Sequence, residues 1–349
     1  MFDFILKMLL VLTPIAYTRG IPLDKFDLVI FYLSAISLFV ASLWSKPQRE
    51  IPKQFISWIL ILCGVNLVLN QFNPIVLSAY INLFFGVIIV YLIATYCERP
   101  YSCFKYMMFA GLINLVVFFF QRVGFSPIIV NPLGEPGGIL GNGPRLCLYL
   151  AMTIPFVMKE NVLIAIGYMG MGILCGEYVV TAVGAALLIR KYISLNKITI
   201  SAITGVLLLA IVFLHSHILQ SFRIRWAVWN PMIEQIFSHP LAGLGVGSLP
   251  YVADQFLKVN KGEHVSHCLS SLIAFIFGAG LLALVWFGYS IDYFRRNFKY
   301  TTESIAIIVL IFLSIFEYPF EVIKVWITMC AIVAFWIISI EKKEKNLCP

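Results

Sequence analysis

Long apolar segments separated by short polar connections run along the whole chain. A helix needs about 20 apolar residues to cross roughly 30 Å of hydrocarbon, and segments near this length recur. Those between residues 145 and 190 are shorter, so helices there are expected to be tilted, buried by neighbours or partly re-entrant. The pattern predicts twelve helical spans, near residues 3–18, 28–45, 54–70, 75–96, 105–121, 145–158, 161–176, 178–190, 198–219, 267–291, 303–318 and 321–340.

This pattern predicts an all-α polytopic integral membrane protein of about twelve helices, with residues 1–349 forming a single membrane domain. Composition agrees, because 61% of the residues are hydrophobic and 12% are charged, whereas soluble proteins carry about 25% charged residues. The eight cysteines form no CxxC pair, so neither a disulfide framework nor a zinc site is expected. Lys7 interrupts the first apolar segment, which is interpreted as a retained helix and not as a signal peptide.

The basic residues predict the orientation of the chain in the membrane. The net charge of +8 does not indicate a nucleic-acid partner, because the charges are spread over short connections between spans. Every second connection between spans lies on the same side of the membrane, and one such set holds fifteen basic residues. Lys7 at the N-terminus is expected on that side too. Positive residues accumulate in the cytoplasm, so both termini are expected there. The opposite side holds nine basic residues: Arg19, Lys25, Arg122, Arg145, Arg223, Arg225, Lys258, Lys261 and Lys324.

Six of these nine residues fall in two connections, a glycine-rich loop at 122–145 and a large loop at 220–266. The large loop, of roughly 45 residues, is far longer than ordinary connections. Basic residues on the non-cytoplasmic side oppose the orientation rule. An anionic ligand would account for their position.

The first candidate constellation is the sequence EPGGILGNGPR at 135–145, which leads directly into an apolar helix. Glycines let backbone amides approach a ligand, and a helix start favours anions. Arg145 would add a forked cation that binds a pair of phosphate oxygens. The alternative is a tight turn capped by Asn142, with Arg145 extending to the membrane interface.

The second constellation combines Arg223, Arg225, Trp226 and Trp229 with the glycine-rich run 239–247. Arg225 and Trp229 are four residues apart, so they would share one face of a helix. Tryptophans suit a membrane interface and also stack on sugar rings. An interfacial amphipathic helix is the alternative. The glycines are expected to shape a loop, since no strand precedes them as a dinucleotide site requires.

The third constellation is Glu263, His264 and His267, just before a span that contains Gly278 and Gly280. A neutral histidine beside a carboxylate is a suitable general base near neutral pH. The histidine spacing also permits metal binding, but a third ligand is not evident, so no metal is expected. The alternative is a polar helix start with hydrogen-bonded histidines.

Two glutamates close to membrane depth, Glu317 and Glu321, lie near Lys324 in the sequence. Acidic groups at this depth are often functional, and they are also often paired with a basic neighbour. Lys324 or a loop arginine would be that neighbour, and the role of both glutamates stays open.

The order of these three pieces resembles the bacterial O-antigen ligase and O-antigen polymerase superfamily. Residues 138–151 resemble the family's glycine-asparagine-proline segment before a central helix. Residues 225–229 followed by 240–247 resemble the arginine, tryptophan and Pro-x-x-Gly-x-Gly run that opens its large periplasmic loop. His267, with Gly278 eleven residues later, resembles the histidine and glycine that close that loop.

The resemblance implies a GT-C-like glycosyltransferase of the bacterial inner membrane, active at the periplasmic face. Its donor would be an oligosaccharide on undecaprenyl diphosphate and its acceptor a sugar hydroxyl, without a metal, a cofactor or nucleic acid. We expect Arg225 and His267 to be catalytic, the histidine as base, with Arg145, Arg223 and Arg225 binding the diphosphate as its charge develops. The expected supporting residues are Asn142, Trp229, Glu263 and His264.

The two kinds of enzyme in the family differ in the acceptor that receives the glycan. A polymerase joins one lipid-linked repeat to another, whereas a ligase moves the finished chain to lipid A–core. Two features favour a polymerase. The external loop is compact, and Gly278 and Gly280 form a GxG pattern where ligases tend to have GxxG. A chain-length regulator and a flippase would be partners, beside membrane lipid. The alternative of another class is a transporter or flippase, although no matching halves with mid-membrane polar groups are visible.

Overall fold

The computed structural model describes residues 1–16, 23–50, 53–125, 136, 138–141, 143–175, 178–192, 215–249, 251–252, 270–316 and 322–347. These ranges are helical apart from turns and short connections, and they contain no β-strand. The all-α class expected from the sequence is confirmed for the described part of the chain.

The described ranges contain thirteen α-helices and two 3₁₀ turns. The 3₁₀ turns, Gly138–Leu140 and Ile323–Val325, precede α6 and α13. The α-helices are α1 (Phe2–Ile15), α2 (Leu23–Leu43), α3 (Lys53–Leu69), α4 (Pro74–Tyr96), α5 (Pro100–Arg122), α6 (Gly143–Glu160), α7 (Val162–Leu174), α8 (Tyr178–Tyr192), α9 (His215–Ser238), α10 (Ser271–Ala279), α11 (Leu281–Asn297), α12 (Thr302–Phe316) and α13 (Trp326–Leu347).

Several of these helices have the length and composition of membrane spans. α7, most of α8 and most of α12 form shorter apolar stretches. Apolar side chains such as Phe39 on α2 and Val116 on α5 are exposed, which suits contact with lipid. The chain is therefore consistent with an all-α membrane protein, and the count of twelve spans stays a prediction. Four described stretches are long and apolar enough to cross a membrane: Lys25–Leu43, Pro74–Tyr96, Pro100–Arg122 and Ile323–Glu341.

Two of the expected spans look different in the structure. The span expected at 267–291 is broken at Gly280, which separates α10 from α11. Most of the span expected at 198–219 lies outside the described residues. α9 begins at His215 and continues to Ser238, so it forms the first part of the segment that the sequence predicts as a large loop.

The central helix of the structure is α6. It packs against α5, α7, α8 and α12, and every side chain from 146 to 158 is buried. Its two buried polar side chains find partners inside the protein, since Thr153 donates to the carbonyl of Tyr149 and Tyr149 donates to the carbonyl of Met107. A helix that is apolar all round is expected to be buried, and α6 follows that rule.

One end of the helix bundle collects connections that carry basic residues, and we call it the basic end. The Asp3 carboxylate at the start of α1 accepts from the amides of Glu98 and Arg99 at the start of α5, each at 3.0 Å. Arg49, in the connection after α2, lies 3.8 Å from Glu341 near the end of α13. Connections that the sequence predicts on one membrane face therefore meet.

The opposite end, here called the loop end, joins the last turn of α1 to the turns that precede α6 and α13. Asn114 on α5 donates to the carbonyl of Pro14 at 3.4 Å. Lys324 lies 2.8 Å from the carbonyl oxygen of Ile139 and 4.0 Å from the Asp27 carboxylate near the start of α2. The turn Gly138–Leu140, the described part of the glycine-rich loop before α6, thus packs against α1 and α5.

The 240–247 loop lies at the same loop end. Arg49, after the end of α2, donates to the carbonyl of Cys97, after the end of α4, at 2.6 Å. Both helices therefore end at the basic end and begin at the loop end. The turn between α3 and α4 precedes α4 directly, and Asn66 and Asn70 beside it both donate to the carbonyl of Ala242, at 2.9 and 3.3 Å. The turn Gly138–Leu140 and the 240–247 loop therefore share one end of the bundle.

Candidate functional site

Two polar side chains of α5 bind the first turn of the glycine-rich loop. The amide of Gly138 donates to Gln121 Oε1 at 2.9 Å, and Gln121 Nε2 donates to the Gly138 carbonyl at 3.3 Å. The amide of Ile139 donates to Asn114 Oδ1 at 3.0 Å. Gly138 has φ +63°, and a Cβ there would lie 2.8 Å from the Asn114 carbonyl oxygen, so the turn requires glycine. These two amides are occupied within the protein, and a ligand would have to use other groups of the loop.

A buried lysine is the third side chain that binds this turn. Lys324, in the turn Ile323–Val325, donates from Nζ to the carbonyl oxygen of Ile139 at 2.8 Å. The Lys324 and Asp27 side chains are only 4% and 6% exposed. Buried charges are costly unless they are paired and hydrogen-bonded, so the carboxylate and the carbonyl together stabilise the ammonium. A small cavity of about 10 Å³, lined in part by Thr13, lies beside the pair.

The partner of Lys324 differs from the ones considered in the sequence. Glu317 and Glu321 lie outside the described residues, and the structure gives Asp27 as a partner. Sequence reasoning missed Asp27 because it is 297 positions away from Lys324. One signal was available: Asp27 directly precedes the span expected at 28–45, and acidic groups close to membrane depth are often paired with a basic residue.

Arg145 lies in the first turn of α6, two residues after the helix begins at Gly143, and its side chain is partly buried. A helix N-terminus carries partial positive charge, so the start of α6 and the Arg145 guanidinium would both attract an anion placed there. The position therefore suits an arginine that binds an anionic ligand. Asn142, expected beside it, lies outside the described residues.

The α9 helix has one packed face and one exposed face. Trp229 is buried in a small apolar cluster that also contains Phe277 of α10. Arg225, one turn earlier, is partly buried, whereas Arg223 and Trp226 are exposed. The exposures agree with the expected common face of Arg225 and Trp229, and they equally suit an amphipathic helix at a membrane interface.

The glycines after α9 shape a loop that packs backbone to backbone against the break between α10 and α11. The amide of Gly245 donates to the carbonyl of Gly278 at 2.9 Å. The amide of Leu281 donates to the carbonyl of Pro240 at 2.7 Å. Gly280 has φ +59°, a conformation that allows the sharp break. The glycine run therefore shapes a loop, as expected from the sequence, and it also allows close packing against the break, which was not expected.

Half of the eight expected site residues are described. The structure describes Arg145, at the start of α6, and Arg223, Arg225 and Trp229 on α9, the helix that leads into the 240–247 loop. Among the described residues, no group of three histidine, cysteine, aspartate or glutamate side chains could bind a metal ion. The expected residues outside the described ranges are Asn142, Glu263, His264 and His267.

Comparison with known proteins adds no relative. No protein-family model matches the chain, and no curated protein matches it significantly. The described structure defines the class, an all-α protein with helices of membrane-spanning length and two glycine-rich loops at one end.

Proposed function

We propose that this protein is a membrane glycosyltransferase that moves an undecaprenyl-diphosphate-linked glycan onto a sugar hydroxyl, as an O-antigen polymerase does. The observation that carries the proposal is Arg145 in the first turn of the buried helix α6. A diphosphate placed there would be attracted both by the guanidinium and by the positive end of the helix dipole. Arg223 and Arg225 add further cations on α9, the helix that leads into the 240–247 loop.

The arginines act on the leaving group. The acceptor hydroxyl oxygen attacks the anomeric carbon, the bond from that carbon to the diphosphate oxygen breaks, and the configuration inverts. Negative charge then collects on the diphosphate, where Arg145 and Arg225 neutralise it bidentately in a low-dielectric site. The hydroxyl proton passes to His267, with Glu263 and His264 in support.

The reaction is assigned to the periplasmic face of the bacterial inner membrane, with both termini in the cytoplasm. Support comes from the separation of charged connections between the two ends of the bundle. Asp3, Arg49 and Glu341 meet at the basic end, which would be cytoplasmic. Arg145 and the two glycine-rich loops would then face the periplasm, where lipid-linked glycans are assembled.

The purified chain incubated with lipid-linked glycan and acceptor tests the proposal. We expect release of undecaprenyl diphosphate and elongation of the glycan. Arg225→Ala is expected to lower kcat about 100- to 1,000-fold, because a charge-stabilising donor is lost in the transition state. The matched control is Arg122→Ala, another cation of the same side, which is exposed at the end of α5 and should retain activity. A fully active Arg225→Ala enzyme would refute the assignment of Arg225.

Polymerase and ligase are distinguished by the phenotype of a gene deletion. Lipopolysaccharide that carries a single repeat indicates loss of a polymerase, which is the expected result. Long lipid-linked chains together with a bare core would instead indicate a ligase that uses lipid A–core as acceptor.

One observation favours a second candidate, a transporter of lipid-linked glycan. The helix break at Gly280 resembles the discontinuous helices that transporters use at their binding sites. In this chain the 240–247 loop already bonds the backbone at the break. Proteoliposomes would decide: movement of labelled lipid-linked glycan across the bilayer without elongation would support transport.

A further inference from the structure

The contacts of Lys324 point to a role in the site beyond packing. A lysine is rarely buried, and its charge must be compensated when it is. Lys324 is 5% exposed, and its ammonium binds a loop carbonyl as well as the Asp27 carboxylate. If Lys324 were only a counter-ion for Asp27, it would not need its contact with the Ile139 carbonyl. That contact is the shorter of the two, at 2.8 Å.

Both polar backbone groups of Ile139 are bound by side chains from distant elements. Its amide donates to Asn114 of α5, and its carbonyl accepts from Lys324. Gln121 binds the preceding residue, Gly138, on both its amide and its carbonyl. Three side chains thus bind two consecutive residues of one turn, which fixes that turn in position.

The fixed turn is close to Arg145 along the chain. Three residues separate Ile139 from Gly143, where α6 begins, and Arg145 is in the first turn. After Arg145 the helix is buried on all sides, so its body cannot shift without repacking the core. The start of α6 is therefore held by the turn on one side and by the protein core on the other.

We infer that Lys324 is a positioning residue that fixes the glycine-rich loop and thereby aims Arg145 at the lipid diphosphate. The inference rests on the proposed function. Asp27 has a separate role, because it compensates the charge of the buried ammonium. Displacing a reacting group by about 1 Å lowers rates about 100-fold, so a small shift of this loop is enough to impair transfer.

Four variants of the full-length chain separate these two roles. Lys324→Met and the double variant Asp27→Asn with Lys324→Met are expected to lower kcat about 10- to 100-fold with little change in KM. Lys324→Arg should regain most of the lost kcat, because it still donates to the Ile139 carbonyl. Asp27→Asn should lose stability and keep kcat near that of the natural protein, because the amine still donates.

The double variant also guards against simple misfolding. It contains no buried uncompensated charge, so it is expected to fold even if Lys324→Met does not. A double variant with the kcat of the natural protein would mean that Lys324 only compensates Asp27, and the inference would be wrong. The same holds if Lys324→Arg recovers nothing although it folds.

Hydrogen exchange provides a readout that does not depend on transfer. In Lys324→Met and in the double variant, peptides that cover 138–146 should exchange faster, whereas peptides from α9 should be unchanged. Unchanged exchange at 138–146 overturns the inference, whatever the activity. Absence of transfer in the natural protein, together with faster exchange in the variants, would refute the proposed function and leave the structural role of Lys324 standing.

Discussion

Single polar residues in this apolar protein bind the backbone of loops. Asn114, Gln121 and Lys324 bind the turn before α6, and Asn66 and Asn70 bind the 240–247 loop. A buried polar group without a partner costs about 1–3 kcal/mol, so each of these side chains strongly favours one loop conformation. The same residues explain how the turn Gly138–Leu140 and the 240–247 loop are held in place.

His267 is the residue whose replacement tests the proposed proton transfer. His267→Ala should lower kcat about 100- to 10,000-fold, as loss of a general base does, while the protein still inserts in the membrane. His239→Ala is the matched control, because that histidine is exposed and has no assigned role. Steady-state kinetics of both purified variants make the comparison. Normal turnover in His267→Ala would reassign the base.

Among the elements, the break between α10 and α11 has the clearest physical explanation. The 240–247 loop approaches so closely that its backbone replaces helical hydrogen-bond partners at the break. Gly278 permits this approach, since a Cβ there would lie 2.7 Å from Val246 Cα. Gly280 permits the break itself, with φ +59°.

Two helical glycines provide a matched test of this packing. Gly278→Ala should destabilise the protein by about 1–3 kcal/mol, because the new methyl group meets backbone atoms that cannot yield easily. Gly288→Ala in α11 has nothing within 4 Å of the added Cβ. It should be neutral or raise stability by up to about 1 kcal/mol through helix propensity. Thermal unfolding in detergent measures both, and equal effects would contradict the close packing.

At the scale of the whole molecule, the bundle has two chemically different ends. The basic end joins the start of α1, the start of α5 and the late part of α13. The loop end contains the two glycine-rich loops and the buried pair of Lys324 and Asp27. Such a separation of charged connections fits a protein that has one orientation in a membrane.

Labelling of single-cysteine variants tests the orientation of these ends. With the natural cysteines replaced, Phe125→Cys at the loop end should react with an impermeant maleimide added outside the cytoplasmic membrane. Tyr300→Cys at the basic end should react only after the membrane is permeabilised. Both side chains are exposed and neither is charged, so the substitutions leave the charge balance intact. The reverse pattern would place the arginines in the cytoplasm and refute the periplasmic assignment.

The helices could be predicted well from the sequence, and their contacts could not. The expected span at 75–96 is α4, Pro74–Tyr96, and the expected span at 105–121 lies inside α5. The break at Gly280 was not predicted, because the apolar run continues through it and only the 240–247 loop makes the break favourable. The pairing of Lys324 with Asp27 was missed for the same reason: distant contacts leave no local pattern.

By itself, the sequence determined that this protein is helical and that its long apolar segments suit a lipid environment. It also determined that only a minority of its basic residues fall in the connections opposite to the basic-rich ones. These are properties of length, periodicity and composition, which local physical chemistry controls. Only the tertiary structure decided that Lys324 and Asn114 meet at Ile139, and that the 240–247 loop closes on a broken helix. Such choices depend on shape and hydrogen-bond geometry between elements far apart in the chain, which become defined only when the helices pack.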